Sequence, residues 1–391
     1  MTWGLLKVED QRKKLVEAYI DGEASMTHLA KKFNISRKTA YKWYNRYVEE
    51  GIDGLLDRSK APHSPKKYFN EESIRIAVDL KLKFRKWGPK KILVLLKRRY
   101  PEHRWPSPTR LYQIFKEYHL VVPKRLRNRV PATHPLADVG ASNDVWMVDF
   151  KGDIFTGDGN KCVPLTITDG YSRYLLCCEH LPKRGGEYVW PIYESLFKEM
   201  GIPNRIRTDN GPPFGSRGAG RLTPLAVKLV QAGVTPEWIN PGHPEENGRH
   251  ERMHLTLKQT TAQPPANTLT EQIQRMKQFQ EEYNYERPHE ALKMDTPSKY
   301  YTPLTRSWDG VLRSPEYDTK DFDVRKVGQS GCIWLNGIEY YISQTLTGEY
   351  VGFKEGDLGE LAVFYGPVYL GKLAKGCFQK PKLKPKRIVR R

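Results

Sequence analysis

At 391 residues the chain is too long for one small hydrophobic core, and roughly two to four domains are expected. A mean hydropathy of −0.67, with no apolar run long enough to span a bilayer, excludes a protein built on membrane helices. The net charge of +20 is unevenly spread: residues 1–140 hold 31 Lys+Arg against 15 Asp+Glu, residues 372–391 hold nine Lys+Arg and no acid, and the middle is mildly acidic. That distribution points to a polyanion gripped at several places, with nucleic acid as the first candidate. The opening MTWGLLKVED lacks a signal-peptide pattern, so a cytoplasmic location, with no membrane partner, is expected. The five cysteines (162, 177, 178, 332 and 377) form no CxxC pair and suggest neither a cysteine zinc site nor a disulfide framework.

In chain order, residues 8–21 carry Val8, Leu15, Val16 and Ile20 at loosely helical spacing, stopped by Gly22. Residues 27–51 then read as a short helix to Phe33, a turn at Asn34, and a second helix capped by Ser36 and ended near Gly51. Ala30, Ile35, Ala40, Trp43 and Tyr47 can face inward, leaving Arg37, Lys38, Tyr41 and Lys42 outward near the start of the second helix. An ordinary helical hairpin shares this period, but the basic exposed face favours a helix-turn-helix whose second helix reads the major groove of double-stranded DNA. The expected domain is 1–60. Residues 61–67, APHSPKK, form a linker by composition, and a second helical DNA-binding module is expected over 68–123, with helices in WGPKKILVLLKRRY and SPTRLYQIFKEYHL. Residues 124–142 have no hydrophobic period and many cations, as a basic linker would.

From 143 the pattern turns to strands. DVWMVDFKGDI, KCVPLTITDG and SRYLLCCEHL suggest a three-stranded antiparallel meander. A helix over 185–201, a strand in PNRIRTDNG, a helix over 222–233, a strand in VTPEWIN, and long helices from about 246, broken near 263–267, complete an α/β layered domain with a mixed sheet over 143–302. Short Gly-punctuated strands over 307–372 predict a small β-barrel, and 373–391 a basic disordered tail.

Three acids fall at element ends in the α/β domain: Asp149 in VWMVDF, Asp209 in RTDNG, and Glu251 on the helix after the last strand. Each alone is unremarkable, since an Asp in DNG is usually a turn residue. Together, clustered carboxylates repel one another unless a cation neutralises them, and an all-oxygen set suits Mg²⁺ or Mn²⁺. Two such ions can clamp the attacking and leaving oxygens of a phosphoryl displacement.

The segments WMVDF, RTDNG and HPEENGRHERMHLTLK resemble, in order, the three motifs of DDE-type insertion-sequence transposases and retroviral-type integrases; YNYERPHEALKMDTPSKYY resembles the segment that closes that core in bacterial transposases. The helix-turn-helix front and the small β-barrel expected behind the core also match, so the resemblance covers nearly the whole chain. It implies a multidomain protein with a ribonuclease-H-like core, Asp149, Asp209 and Glu251 as both the catalytic and the metal-binding triad, two Mg²⁺ or Mn²⁺ ions, 3′-end cleavage of element DNA followed by strand transfer into target DNA, and a homodimer or larger assembly. One departure concerns spacing: 41 residues separate Asp209 from Glu251, more than in many relatives, and Glu245 and Glu246 sit nearer the shorter interval. The frame NGRHE favours Glu251, with FGSRGAGRLT (214–223) as the extra length. Glu251, His254, Leu255 and Lys258 share a helix face. The resemblance implies contact with the DNA end for Lys258, and His254, facing the same side as Glu251, is expected to touch DNA as well. Asn210 and Asn247 either orient ligands or serve as turn and cap residues.

Two other functions compete. HERMH (250–254) fits H-E-x-x-H, which on a helix holds zinc between two histidines with the Glu as base. That reading needs a third ligand such as Glu281 or Glu282, and leaves the DNA-binding modules, Asp149 and Asp209 without a role. A DNA-binding regulator without catalysis is the second alternative, disfavoured by the presence of all three acids.

Overall fold

The computed structural model describes residues 8–58, 70–121, 139–240, 243–303, 306–356, 360–374 and 377–381. The expected linker at 61–67, most of 124–142 and most of the tail lie outside them. The chain divides into two compact units, residues 1–68 and 69–391.

In the first unit, short polar caps set the helices. α1 (Val8–Ile20) is followed by α2 (Met26–Lys32), whose first turn is capped by the Ser25 side chain accepting from the His28 amide. Asn34 turns the chain at a positive φ of 52°. α3 (Arg37–Glu50) is capped in the same way by Ser36, and Gly51, at φ 66°, ends it as only glycine does without strain. Leu15, Val16, Leu29, Ala40, Trp43 and Leu55 form the core. Arg12 closes it, donating to the Leu55 carbonyl at 2.7 Å and lying 3.8 Å over the Trp43 ring.

The second unit begins with three helices: α4 (Glu71–Lys83), α5 (Pro89–Arg99) and α6 (Pro108–Glu117). They close around Phe84, Trp87, Ile92, Leu96, Leu111 and Phe115. The mixed sheet follows. Its strands are β1 (Val145–Phe150), β4 (Pro164–Asp169), β5 (Leu175–His180), β6 (Arg205–Thr208) and β7 (Thr235–Trp238), with a small hairpin of β2 (Ile154–Phe155) and β3 (Lys161–Cys162) beside it. The sheet order is β5-β4-β1-β6-β7. The first three strands form the expected meander, whereas β6 and β7 join parallel through the crossover helices α7 (Gly186–Met200) and α8 (Pro224–Gln231). Trp146 and Val148 point to one face, where α7 and α8 bury Val189, Tyr193, Phe197, Leu225 and Leu229. The opposite side is covered by α9 (Gly248–Thr261) and α10 (Leu269–Glu281), through Met253, Leu257, Met276 and Phe279 against Ile154, Leu175 and Cys178.

At the rear of the chain the strands are as β-rich as expected, but among the described residues the sheets do not close into a barrel. β8 (Asp323–Lys326), β11 (Tyr350–Glu355), β12 (Leu361–Tyr365), β13 (Val368–Ala374) and β14 (Cys377–Gln379) make a five-stranded antiparallel sheet in the order β14-β13-β12-β11-β8, and β9 (Cys332–Leu335) and β10 (Ile338–Tyr341) make a separate hairpin. Among the described residues the edge strands do not pair with each other. The apolar face is instead covered from outside the sheet: Val351, Val363, Leu370 and Leu373 share a core with Ala219 and Leu222 of the 214–223 stretch and with Ala226, Val227 and Val230 of α8. The 214–223 stretch is thus part of the surface on which the rear sheet docks.

Gly220 marks the closest approach, at φ 57°, where an added Cβ would lie 2.7 Å from Leu370 Cδ2 and 2.9 Å from Val368 Cγ1. Gly220→Val is expected to destabilise the second unit by ~1–3 kcal/mol, read as a lower thermal midpoint. An unchanged midpoint would show that this junction carries no load.

Candidate active site

Parallel pairing brings two of the acids to one edge of the sheet. β1 and β6 align Val145 with Arg205 and Met147 with Arg207, so the same register carried two residues further sets Asp149 beside Asp209. Asp149 alternates with the buried Val148 and faces the α9 side. Asp209 lies one residue beyond β6, where its carboxylate accepts from the Gly211 amide at 3.2 Å. Glu251 stands exposed in the first turn of α9, the helix that crosses β1.

The three carboxyls share one field. Asp149, with a side chain 26% exposed, is pushed up to about 7, mainly by burial and then by the charge of Asp209, with a smaller push from Glu251; the Phe150 amide and Lys151 act the other way. Burial also raises Asp209, against its hydrogen bond from Gly211. Among the described residues, no three His, Cys, Asp or Glu side chains are grouped closely enough to hold a metal ion as they stand. The donor set nonetheless fits a hard cation, because it is all oxygen and its charges destabilise one another.

The neighbouring glutamates differ. Glu246 is buried and caps its own loop, accepting from the Asn240 amide at 2.7 Å and from Asn240 Nδ2 at 2.8 Å. The Glu245 side chain lies outside what the structure describes. Asn210 is a turn brace: its Nδ2 donates to the Ile239 carbonyl at 2.8 Å and its Oδ1 accepts from Arg221 at 2.7 Å. Asn247 is buried with an unpartnered Oδ1.

The histidines of HERMH turn inward. His250 is 1% exposed, with Nε2 2.8 Å from Thr166 Oγ1 and Nδ1 2.8 Å from Thr168 Oγ1. His254 is also buried, its Nε2 2.6 Å from the same Thr166 hydroxyl and its Nδ1 3.7 Å from Asp149 Oδ2. Burial drives both imidazoles toward the neutral form, His254 to about 3 and His250 well below its ordinary value. Both ring nitrogens of His250 are therefore engaged by threonine, which leaves the zinc reading without its first ligand. For His254 to touch DNA, its ring would have to leave this network. Lys258 is exposed on α9 and lines a cleft of about 230 Å³ with Lys151, Asp153 and Phe155. In the first unit Arg37, Lys38 and Lys42 are exposed on α3, with Tyr41 half-buried against Tyr19.

Sequence reasoning missed Thr166, Thr168 and Arg221. The threonines did leave a signal, two hydroxyls at period two in the strand PLTITD, apolar otherwise up to its last residue, Asp169. Arg221 left none, because its partner depends on how the 214–223 stretch folds back.

Comparison with known families gives a helix-turn-helix domain over residues 11–63, a homeodomain-like domain over 39–115, and integrase core domains over 140–244 and 232–297. The chain is 26% identical over 278 residues to an uncharacterized 31.7 kDa protein of insertion element IS407 from Burkholderia multivorans, a match covering 70% of this chain and 94% of that one. It is 23% identical over 407 residues to the transposase for transposon Tn552 from Staphylococcus aureus, covering 93% and 82%. The chain is an insertion-sequence transposase with an integrase-like core. Among solved structures, the HTLV-2 integrase catalytic core domain in complex with magnesium matches 41% of the transposase and 98% of its own chain, at 16% identity and a TM-score of 0.32.

The Asp149 shift has a measurable consequence for the transposase. An ordinary Asp titrates near ~3.9, so a folded value of about 7 means that the fold binds this proton more tightly than the unfolded chain does. The associated stability is complete below about pH 4 and is lost as pH rises through about 7. In chelator at pH 8, Asp149→Asn is expected to be more stable than the parent by on the order of 1–4 kcal/mol, with the gap closing toward pH 4. A gap that does not change with pH would contradict this origin.

Proposed function

We propose that the transposase binds the ends of its element, cleaves their 3′ ends with water, and transfers the freed 3′-OH to target DNA. The observation that carries this reading is the register of β1 with β6, which sets Asp149 beside Asp209 beneath the helix bearing Glu251. The strand order, antiparallel on one side of β1 and parallel on the other, supports a ribonuclease-H-like layout for the core.

Asp149, Asp209 and Glu251 would hold the metal, two Mg²⁺ or Mn²⁺ ions. Bound there, such ions neutralise the carboxylates, sharpen the attacking oxygen and stabilise the leaving one. The protein holds the site ready: the Gly211 amide fixes the Asp209 turn, and Arg221 with Asn210 fixes the loop behind it. Lys258 lies along the cleft beside β2 and would meet the phosphates of the DNA end. Arg37, Lys38, Tyr41 and Lys42 on α3 would read the major groove, with the helices of 68–123 as a second DNA-binding module and the basic linker along the backbone. The rear segment, 307–372, would act as a small barrel-like module docked on the core. Two ends must be paired, so a homodimer or larger assembly on cytoplasmic DNA completes the reading.

Asp149→Ala, Asp209→Ala and Glu251→Gln are each expected to reduce nicking and joining of labelled element ends in Mg²⁺ to background, with end binding retained. Glu246→Gln should keep the chemistry and lose ~1–2 kcal/mol of stability through its capping bonds. Activity in Glu251→Gln together with its loss in Glu246→Gln would overturn the assignment.

Binding is expected to weaken steeply with salt, since phosphate contacts release counterions. Arg37→Ala and Lys42→Ala should cost more affinity for element ends than for random duplex in titrations against both. Equal loss on both DNAs would reduce these residues to backbone contacts.

A further inference from the structure

Thr166 stands directly opposite Asp149 in the antiparallel pairing of β1 with β4, and its one hydroxyl serves three partners. It donates to the Asp149 backbone carbonyl at 3.0 Å, and a carbonyl can only accept, so the hydroxyl proton is committed there. Its oxygen therefore accepts from His250 Nε2 at 2.8 Å and from His254 Nε2 at 2.6 Å, and both rings must carry hydrogen on Nε2. Thr168, two residues along on the same pleat, donates to His250 Nδ1. The two histidines are one turn apart on α9, and Glu251 follows the first of them directly.

We infer that Thr166, Thr168, His250 and His254 are positioning residues that lock the rotation and height of α9 over β1, and so hold the Glu251 carboxylate toward Asp149 and Asp209. The four are buried, and their bonds run from the Asp149 main chain to both ends of the first turn and a half of the Glu251 helix. A helix held by apolar contacts alone can slide and roll by fractions of an ångström at little cost. Directional bonds at two successive turns remove that freedom. A cation shared among three carboxylates is sensitive to such shifts, because its oxygens must converge on one point. The proposal rests on the assignment of Asp149, Asp209 and Glu251 to the metal site.

The test compares the full chain with Thr166→Val, which keeps the shape and removes the hydroxyl, and with Thr166→Ser, which restores it. Free Mn²⁺ is measured by electron paramagnetic resonance during titration, and nicking of element ends is followed against Mg²⁺ concentration. Thr166→Val is expected to bind Mn²⁺ ~10–100-fold more weakly and to need correspondingly more Mg²⁺, with Thr166→Ser close to the parent and end binding unchanged in both. Nitrogen-15 spectra of labelled histidine should show two exchange-protected Nε2 hydrogens that Thr166→Val loses.

If Thr166→Val does not fold, His254→Leu against His254→Gln decides in the same way, since Gln can still donate to Thr166. A parent protein that binds no Mn²⁺ sinks the metal site and this proposal with it. A parent that binds Mn²⁺, with Thr166→Val binding equally tightly or Thr166→Ser as weak as Thr166→Val, sinks this proposal alone. Bare Nε2 atoms on both buried histidines would do the same.

Discussion

The parallel pairing of β1 with β6 is the constraint on which the catalytic core depends. Two strands that run the same way end at the same edge, so residues 60 apart in sequence, Asp149 and Asp209, reach it together. Such a pairing needs a crossover, and β5, α7 and β6 supply it, with α7 packing Val189, Tyr193 and Phe197 over the sheet. β4 and the first four residues of β1 are buried, and a carboxyl without a cationic partner there would be costly; Asp149 and Asp209 lie toward the ends of β1 and β6, where the strands emerge. There they are half out of water and close to each other, and Asp149 responds by holding its proton to about 7.

A second dependence runs through α8. Leu225 and Leu229 belong to the core of the mixed sheet, while Ala226, Val227 and Val230 belong to the core of the rear sheet. A helix that is apolar nearly all round must be buried on both sides, and α8 meets this by lying between two sheets. Its one cation, Lys228, rests 5.2 Å over the ring of Trp190. The 214–223 stretch belongs to the same junction. Ala219 and Leu222 enter the rear core, while Arg221 reaches back to Asn210, the neighbour of Asp209. The surface that docks the rear sheet and the brace of the Asp209 turn are therefore one segment.

Elements whose signals are local were legible in the sequence. Ser36 and Ser107 cap their helices with side chains, and apolar runs split by glycine-bearing turns gave the meander. The proximity of Asp149 and Asp209 was legible only as a consequence of strand order, and their shared field follows from it. What was not legible depends on non-local geometry. The rear strands read as a barrel because their turns are regular, but closure is not a local property: their apolar face shares one core with Ile333 and Leu335 of the β9–β10 hairpin and with Ala226, Val227 and Val230 of α8. His254 was read as outward because helix periodicity fixes which residues share a face and not which way that face looks. Thr166 sits in a strand whose hydroxyls look like ordinary β-formers until their partners on α9 are known.

The HERMH motif shows how far a short pattern underdetermines chemistry. Spacing of four residues puts His250 and His254 on one side of α9, as zinc binding would require. The same spacing equally suits two hydroxyls at period two on a strand beneath. A desolvated imidazole must satisfy both ring nitrogens, and Thr166 and Thr168 satisfy those of His250 without an ion. Because successive residues on a helix project about 100° apart, a fully buried His250 forces Glu251 toward the rim of the helix. The motif therefore divides its labour by geometry: the histidines bind the helix to the sheet, and the glutamate between them is left exposed at the edge where the two aspartates emerge.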